Sequence, residues 1–110
     1  MIRKTVNISK DLYYVKHLEI INPLLPIRLT EKEISILACF LELKEDVFSP
    51  YNKFMIKEKL KLSDSSLSNY LKSIKNKKFI LCNTDGIWYI NPVLLPDSEY
   101  QEYNFKIVKI

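Results

Sequence analysis

The residues best suited to chemistry lie between Ser63 and Thr84, and they are groups that bind rather than groups that make and break bonds. Ser65, Ser66, Ser68, Asn69, Lys72, Lys75, Asn76, Lys77 and Lys78 supply small hydroxyls, carboxamides and ammonium groups, and Thr84 follows them. A carboxamide such as Asn69 can pair bidentately with adenine N6 and N7, and a lysine such as Lys72 can reach guanine O6 and N7 or a phosphate. Small hydroxyls such as Ser65 and Ser66 permit close backbone approach and bond phosphates or base edges. The chemistry expected of this set is recognition of duplex DNA. Lys75, Lys77 and Lys78 are placed to meet the phosphate backbone, with a phosphate contact at most for Thr84.

Catalysis lacks its parts. The chain has a single histidine, two cysteines and a single glycine among its 110 residues. One glycine excludes the phosphate-cradling loops, which need two or more at fixed spacing. Cys39 and Cys82 have no CxxC spacing and read as buried small hydrophobes, not as a disulfide or a zinc site. His17 reads as a solvated residue on a surface helix, and Asp11 and Glu19 as caps and surface charges. No paired carboxylates sit in a loop-rich setting, so no enzyme, metal or cofactor is expected.

The elements that must position the polar set are legible from apolar spacing. Over residues 9–21, Tyr14, Val15, Leu18 and Ile21 share one helical face, although the β-branched and aromatic content leaves a strand open. Asn22 and Pro23 end that element, and Pro26 holds the following residues extended. Thr30 and Glu33 form a capping box that starts a helix running to about residue 44. That helix is apolar nearly all round, through Ile34, Leu37, Ala38 and Leu41 on one side and Ile36, Phe40 and Leu43 on the other. Such a helix is buried, here under the chain's own N-terminal helix in preference to a dimer partner.

Phe48 to Pro50 read as a short strand, and a helix over 52–60 turns Phe54, Ile56 and Leu60 inward. Lys61 and Leu62 make a turn, and Ser63 is an N-cap for a helix over 64–77. On that helix Leu67, Tyr70, Leu71 and Ile74 form the inner side, opposite Ser65, Asn69, Lys72 and Asn76, with Ser68, Ser73 and Lys75 flanking. Strands over 79–82 and 87–90 flank Asn83-Thr-Asp-Gly86, which supplies the positive φ of a tight hairpin. Two further strands are expected at 4–8 and 103–110, the latter after an acidic link carrying Asp97, Glu99 and Glu102. The stretches Ile21-Asn-Pro-Leu-Leu-Pro26 and Ile90-Asn-Pro-Val-Leu-Leu-Pro96 echo each other and read as one way of leaving an element in extended form.

Charge is concentrated where the polar set lies. Residues 53–78 hold eight lysines against Glu58 and Asp64, a net of +6, while the remaining residues carry a net of −2. A basic segment coinciding with two helices and a turn is what attraction to phosphate requires.

Residues 30–90 resemble the winged-helix superfamily, including MarR-like regulators. The run Ser63-x-x-Ser66-Leu67-Ser68-x-Tyr70-Leu71-x-x-Ile74-x-x-Lys77-Lys78-Phe79-Ile80 is similar to a recognition helix passing into the first wing strand. The Leu-Ser-Asn-Tyr-Leu core and the flanking Pro-Leu-Leu-Pro also resemble small winged-helix proteins encoded by tailed phages. Families of this kind place glycine just before the first wing strand, where this chain has Lys78, so Asn76 is expected to take the left-handed position.

The resemblance implies an α+β, mainly α fold: a winged helix-turn-helix of three helices plus a β-hairpin wing, with an extra N-terminal helix or strand and a C-terminal strand. Residues 1–29 would pack on a core domain at 30–96, with 97–110 as the closing strand of a single compact unit. The implied function is a phage-type transcriptional regulator, or a replication or packaging accessory, that reads double-stranded DNA with helix 64–77. The alternative is a phage virion or connector component that uses the same fold to bind phage structural proteins. The acidic link and the exposed edges of the terminal strands favour this alternative. A homodimer or homo-oligomer is the expected assembly. No apolar run approaches the roughly 20 residues of a membrane span, and the N-terminus lacks the apolar core of a signal peptide. The expected location is therefore the cytoplasm, of the host if phage-encoded, or the virion.

Overall fold

The helix opened by the capping box is the one the other elements pack around. In a computed structural model, which describes residue 5 and residues 8–43, 46–96 and 108–109, this helix spans Glu31–Leu41 (α2). Thr30 Oγ1 accepts from Glu33 N at 3.2 Å, and Glu33 Oε1 accepts from Thr30 N at 2.8 Å. Ile34, Ile36, Leu37, Ala38, Phe40 and Leu41 are all buried, as the apolar circumference of α2 requires. Their neighbours come from the same chain. The N-terminal helix Lys10–Ile21 (α1) packs along α2, and Leu18 is fully buried.

The other helices are Pro50–Leu60 (α3) and Asp64–Asn76 (α4), and a hairpin pairs Ile80–Cys82 (β1) with Trp88–Ile90 (β2). The strands are antiparallel, with Ile80 opposite Ile90, Leu81 opposite Tyr89 and Cys82 opposite Trp88. The architecture is α+β and mainly helical. Leu67, Leu71 and Ile74 of α4, Ile56 of α3, and Phe79, Ile80, Ile90 and Leu94 complete the core. Full burial of each such side chain contributes roughly 1.5–3 kcal/mol relative to exposure. Among the described residues no helix is long and apolar enough to cross a membrane.

Several expectations are corrected. Residues 9–21 form the helix their spacing favours, Lys10–Ile21, whereas α2 ends at Leu41, short of residue 44. Residues 48–50 form no strand: Ser49 Oγ accepts from Asn52 N, so Ser49 is the N-cap of α3 and Pro50 its first residue. Phe54 points outward, 52% exposed, because Ile56 and the partly buried Leu60, four residues apart, share the inner side of α3 and Phe54 falls on the opposite side. The two Asn-Pro stretches each enter a one-turn 3-10 helix, at Asn22–Leu24 and Pro92–Leu94, before Leu25 and Leu95 become extended. In both, the asparagine is a staple. Asn22 exchanges two hydrogen bonds with the Leu29 backbone, and Asn91 donates to Lys78 O and caps Val93 N.

His17 is buried, not solvated, and its Nε2 lies 3.0 Å from Leu94 O. Cys39 packs against the core as anticipated, but Cys82 is exposed because β1 runs out past the core at that point. The strands expected at 4–8 and 103–110, and the acidic residues Asp97, Glu99 and Glu102, fall on residues outside those described, apart from Thr5, Ile8, Val108 and Lys109.

Candidate nucleic-acid interface

The turn between α3 and α4 closes through backbone geometry. Lys61 has φ 55° and ψ 46°, the left-handed conformation, with its N–H donating to Glu58 O and the Leu62 N–H to Lys57 O. These two bonds make a Schellman motif, which satisfies the last carbonyls of α3 and reverses the chain. Two residues later Ser63 Oγ accepts from Ser66 N at 3.1 Å and starts α4. The same arrangement ends α4. Lys78 has φ 67°, its N–H donates to Lys75 O, and the Phe79 N–H donates to Ile74 O. Asn76 thus stays within the helix, and the left-handed position falls to Lys78, where a glycine would have been cheaper.

This pair of stops holds α4 with Leu67, Leu71 and Ile74 inward and Tyr70 partly covered. Ser65, Ser68, Asn69, Lys72 and Asn76 are exposed, and their spacing of three, four and seven places them along one side. Ser66 is half-buried, and its hydroxyl lies 2.9 Å from Ser63 Oγ, so it belongs to the cap as much as to the surface. Ser65 Oγ sits 3.3 Å from the same atom.

The hairpin turn is set by Asn83, whose Oδ1 accepts from Asp85 N and Ile87 N while Gly86 adopts φ 80°. That turn leaves Thr84 exposed at the tip.

The lysines are not equivalent. Lys72 and Lys78 are exposed and take part in no ion pair among the described residues. Lys77, expected to meet phosphate, instead directs its ammonium inward, 2.6 Å from Glu33 Oε1 and 3.0 Å from Arg28 O. Lys57 is 3.0 Å from Asp64 Oδ1 and 4.9 Å from the Phe54 ring centroid. The Lys75 ammonium sits 4.2 Å over the Trp88 ring.

Glu33 explains the inward turn of Lys77. It is 1% exposed, and besides the cap it accepts from Ser73 Oγ at 2.9 Å. Burial pushes its carboxyl upward, but hydrogen bonds from Lys77, the Thr30 backbone and Ser73, with the Lys77 charge, outweigh burial and hold its pKa below the ordinary 4.5. The capping role of Glu33 is visible in the sequence; its partners on α4, 40 and 44 residues away, are not. The place of Trp88 is likewise not visible in the sequence, because nothing local to a strand residue tells that a lysine on the preceding helix lies over it.

Both cysteines are free, and burial raises the Cys39 thiol above its ordinary pKa. Among the described residues no three His, Cys, Asp or Glu side chains group as a metal site. No protein-family model, curated protein or solved structure matches the chain.

Proposed function

We propose that the chain is a winged-helix protein that binds duplex DNA, with α4 in the major groove and the β1–β2 hairpin as its wing. The regulator or replication and packaging roles of phage-type winged-helix proteins are the settings that suit it. One observation carries the reading: the most basic segment of the chain folds as helix, capped turn and helix, the hairpin follows directly, and α4 turns Ser65, Ser68, Asn69, Lys72 and Asn76 to solvent. In this reading Asn69 and Lys72 read base edges. Ser65, Ser68 and Asn76 support them, and Lys75, Lys78 and Thr84 bind phosphate. Lys77 drops out of the contact set, because its charge is spent on Glu33. Ser66 contributes through the cap.

The test is fluorescence anisotropy with labelled duplex DNA at about 50 mM and about 200 mM salt. Binding weakens steeply at the higher salt, and Asn69→Ala combined with Lys72→Ala lowers affinity at least tenfold, since each base contact contributes on the order of 1–3 kcal/mol. Absence of binding at low salt would overturn the reading.

A second reading, a virion or connector component acting as a protein-interaction module, is favoured by a different observation. An apolar groove of about 580 Å³ runs beside β2, lined by Phe40, Leu43, Val47, Phe48, Trp88 and Leu95 among others. The exposed Ile87 and Val93 lie on or next to it.

A further inference from the structure

We propose that Trp88 is a positioning residue for nucleic-acid binding, its indole holding the Lys75 ammonium in place as a phosphate contact at the junction of α4 and the hairpin. The proposal rests on the DNA-binding reading above and adds to it a residue that the polar set does not contain.

The geometry begins with strand parity. Side chains alternate across a strand, and directly opposed residues share a face. Ile80, Cys82, Trp88 and Ile90 therefore occupy one face of the hairpin. Ile80 and Ile90 are buried against the core, so Trp88, 42% exposed, extends that inner face past the edge of the core. The last turn of α4 brings Lys75 to that place, with its ammonium 4.2 Å from the ring centroid.

The kind of contact matters more than its presence. Lys77 and Lys57 are also held, but each by a carboxylate that cancels its charge, Glu33 at 2.6 Å and Asp64 at 3.0 Å. A phosphate gains little from an ammonium already paired. An aromatic face attracts a cation through its quadrupole and carries no net charge. It fixes the ammonium on one side and leaves the full positive charge, with N–H donors on the other sides, for a second partner. Lys75 has no ion pair among the described residues. Lys78 has neither ring nor carboxylate against it there, so it must lose its rotamer freedom when it meets a phosphate. Among the lysines of 53–78, Lys75 combines a fixed position with an uncancelled charge. Trp88 is the reason.

The experiment is a double-mutant cycle on the 110-residue chain, read by anisotropy with a labelled duplex of about 20 base pairs over a range of salt. Lys75→Ala weakens binding and lowers the slope of log affinity against log salt by about 0.9, the share of one phosphate contact. Trp88→Leu weakens binding about two- to fivefold, matching the cation–π contribution at an exposed site. Trp88→Phe, which keeps a π face, retains most of the affinity. The double variant binds no more weakly than Lys75→Ala alone, a result that a merely structural role for Trp88 does not produce. Additive losses in the double variant, or Trp88→Leu binding like the wild type, would overturn the proposal while leaving DNA binding intact. A wild-type chain that binds no duplex overturns both.

Discussion

Glu33 is an ionised carboxylate with almost no contact with water, and its ionisation is a stabilising feature with a defined pH window. Its folded pKa lies below the ordinary value of 4.5, so the unfolded chain takes up the proton first as pH falls. The stabilisation is complete above that ordinary value and is lost as pH falls through the depressed one. Glu33→Gln keeps the volume but removes the charge that Lys77 and Ser73 address. We expect it to cost about 1–3 kcal/mol at neutral pH, as for a buried hydrogen-bonded network left partly unsatisfied. Urea unfolding at about pH 7 and about pH 3 checks this. The gap between wild type and variant narrows in acid; a gap of constant size at both pH values contradicts the assignment. The residue also shows where sequence reading stops. Thr30 and Glu33 are three apart, so their reciprocal cap follows from spacing alone. Ser73 and Lys77 reach Glu33 only once α2 and α4 are packed, and the same holds for His17 on Leu94 and Lys75 on Trp88.

At the scale of elements, local signals were decisive where one residue type sets the backbone and weak where packing does. Ser63 started α4, Pro and Asn ended α1, and Gly86 turned the hairpin, because caps and positive φ are properties of a few adjacent residues. The inner face of α3 is not legible at Phe54, since a helix burying only Ile56 has no broad apolar stripe to betray its orientation. The left-handed stops at Lys61 and Lys78 were equally hard to read, because lysine is an unusual choice where glycine is the low-cost residue. Lys61 is exposed, so its substitution isolates the backbone term. Lys61→Gly relieves a left-handed side-chain clash of about 1–2 kcal/mol, offset by the greater freedom of glycine in the unfolded chain, about 0.5–1 kcal/mol. The net is a stabilisation of about 0.5–1 kcal/mol, seen as a rise in Tm of a few degrees by calorimetry. A fall in Tm would show that the lysine side chain contributes more there than its backbone costs.

For the molecule as a whole, the net +4 conceals a segment at +6, a figure that already subtracts Asp64 but not Glu33, which lies outside the segment and occupies Lys77. Charge counted from sequence therefore overstates the charge on offer to a polyanion. The helical architecture with a hairpin was legible because α2 and α4 are strongly patterned, whereas the interplay of α1 with the segment after the hairpin was not. That interplay is the contact of His17 with Leu94 O, which joins residues 77 apart. Its consequence is one of time. Closing so long a loop is unfavourable until the intervening elements have formed, so the contact belongs to the late, post-barrier part of folding. A chevron analysis of His17→Ala should show unfolding accelerated about fivefold, equivalent to about 1 kcal/mol, with the refolding limb nearly unchanged. Slowed refolding would instead place the contact in the nucleus. On the late-forming view, His17 and Leu94 act as a latch on the folded chain, lengthening the lifetime of the native state without helping the chain to reach it.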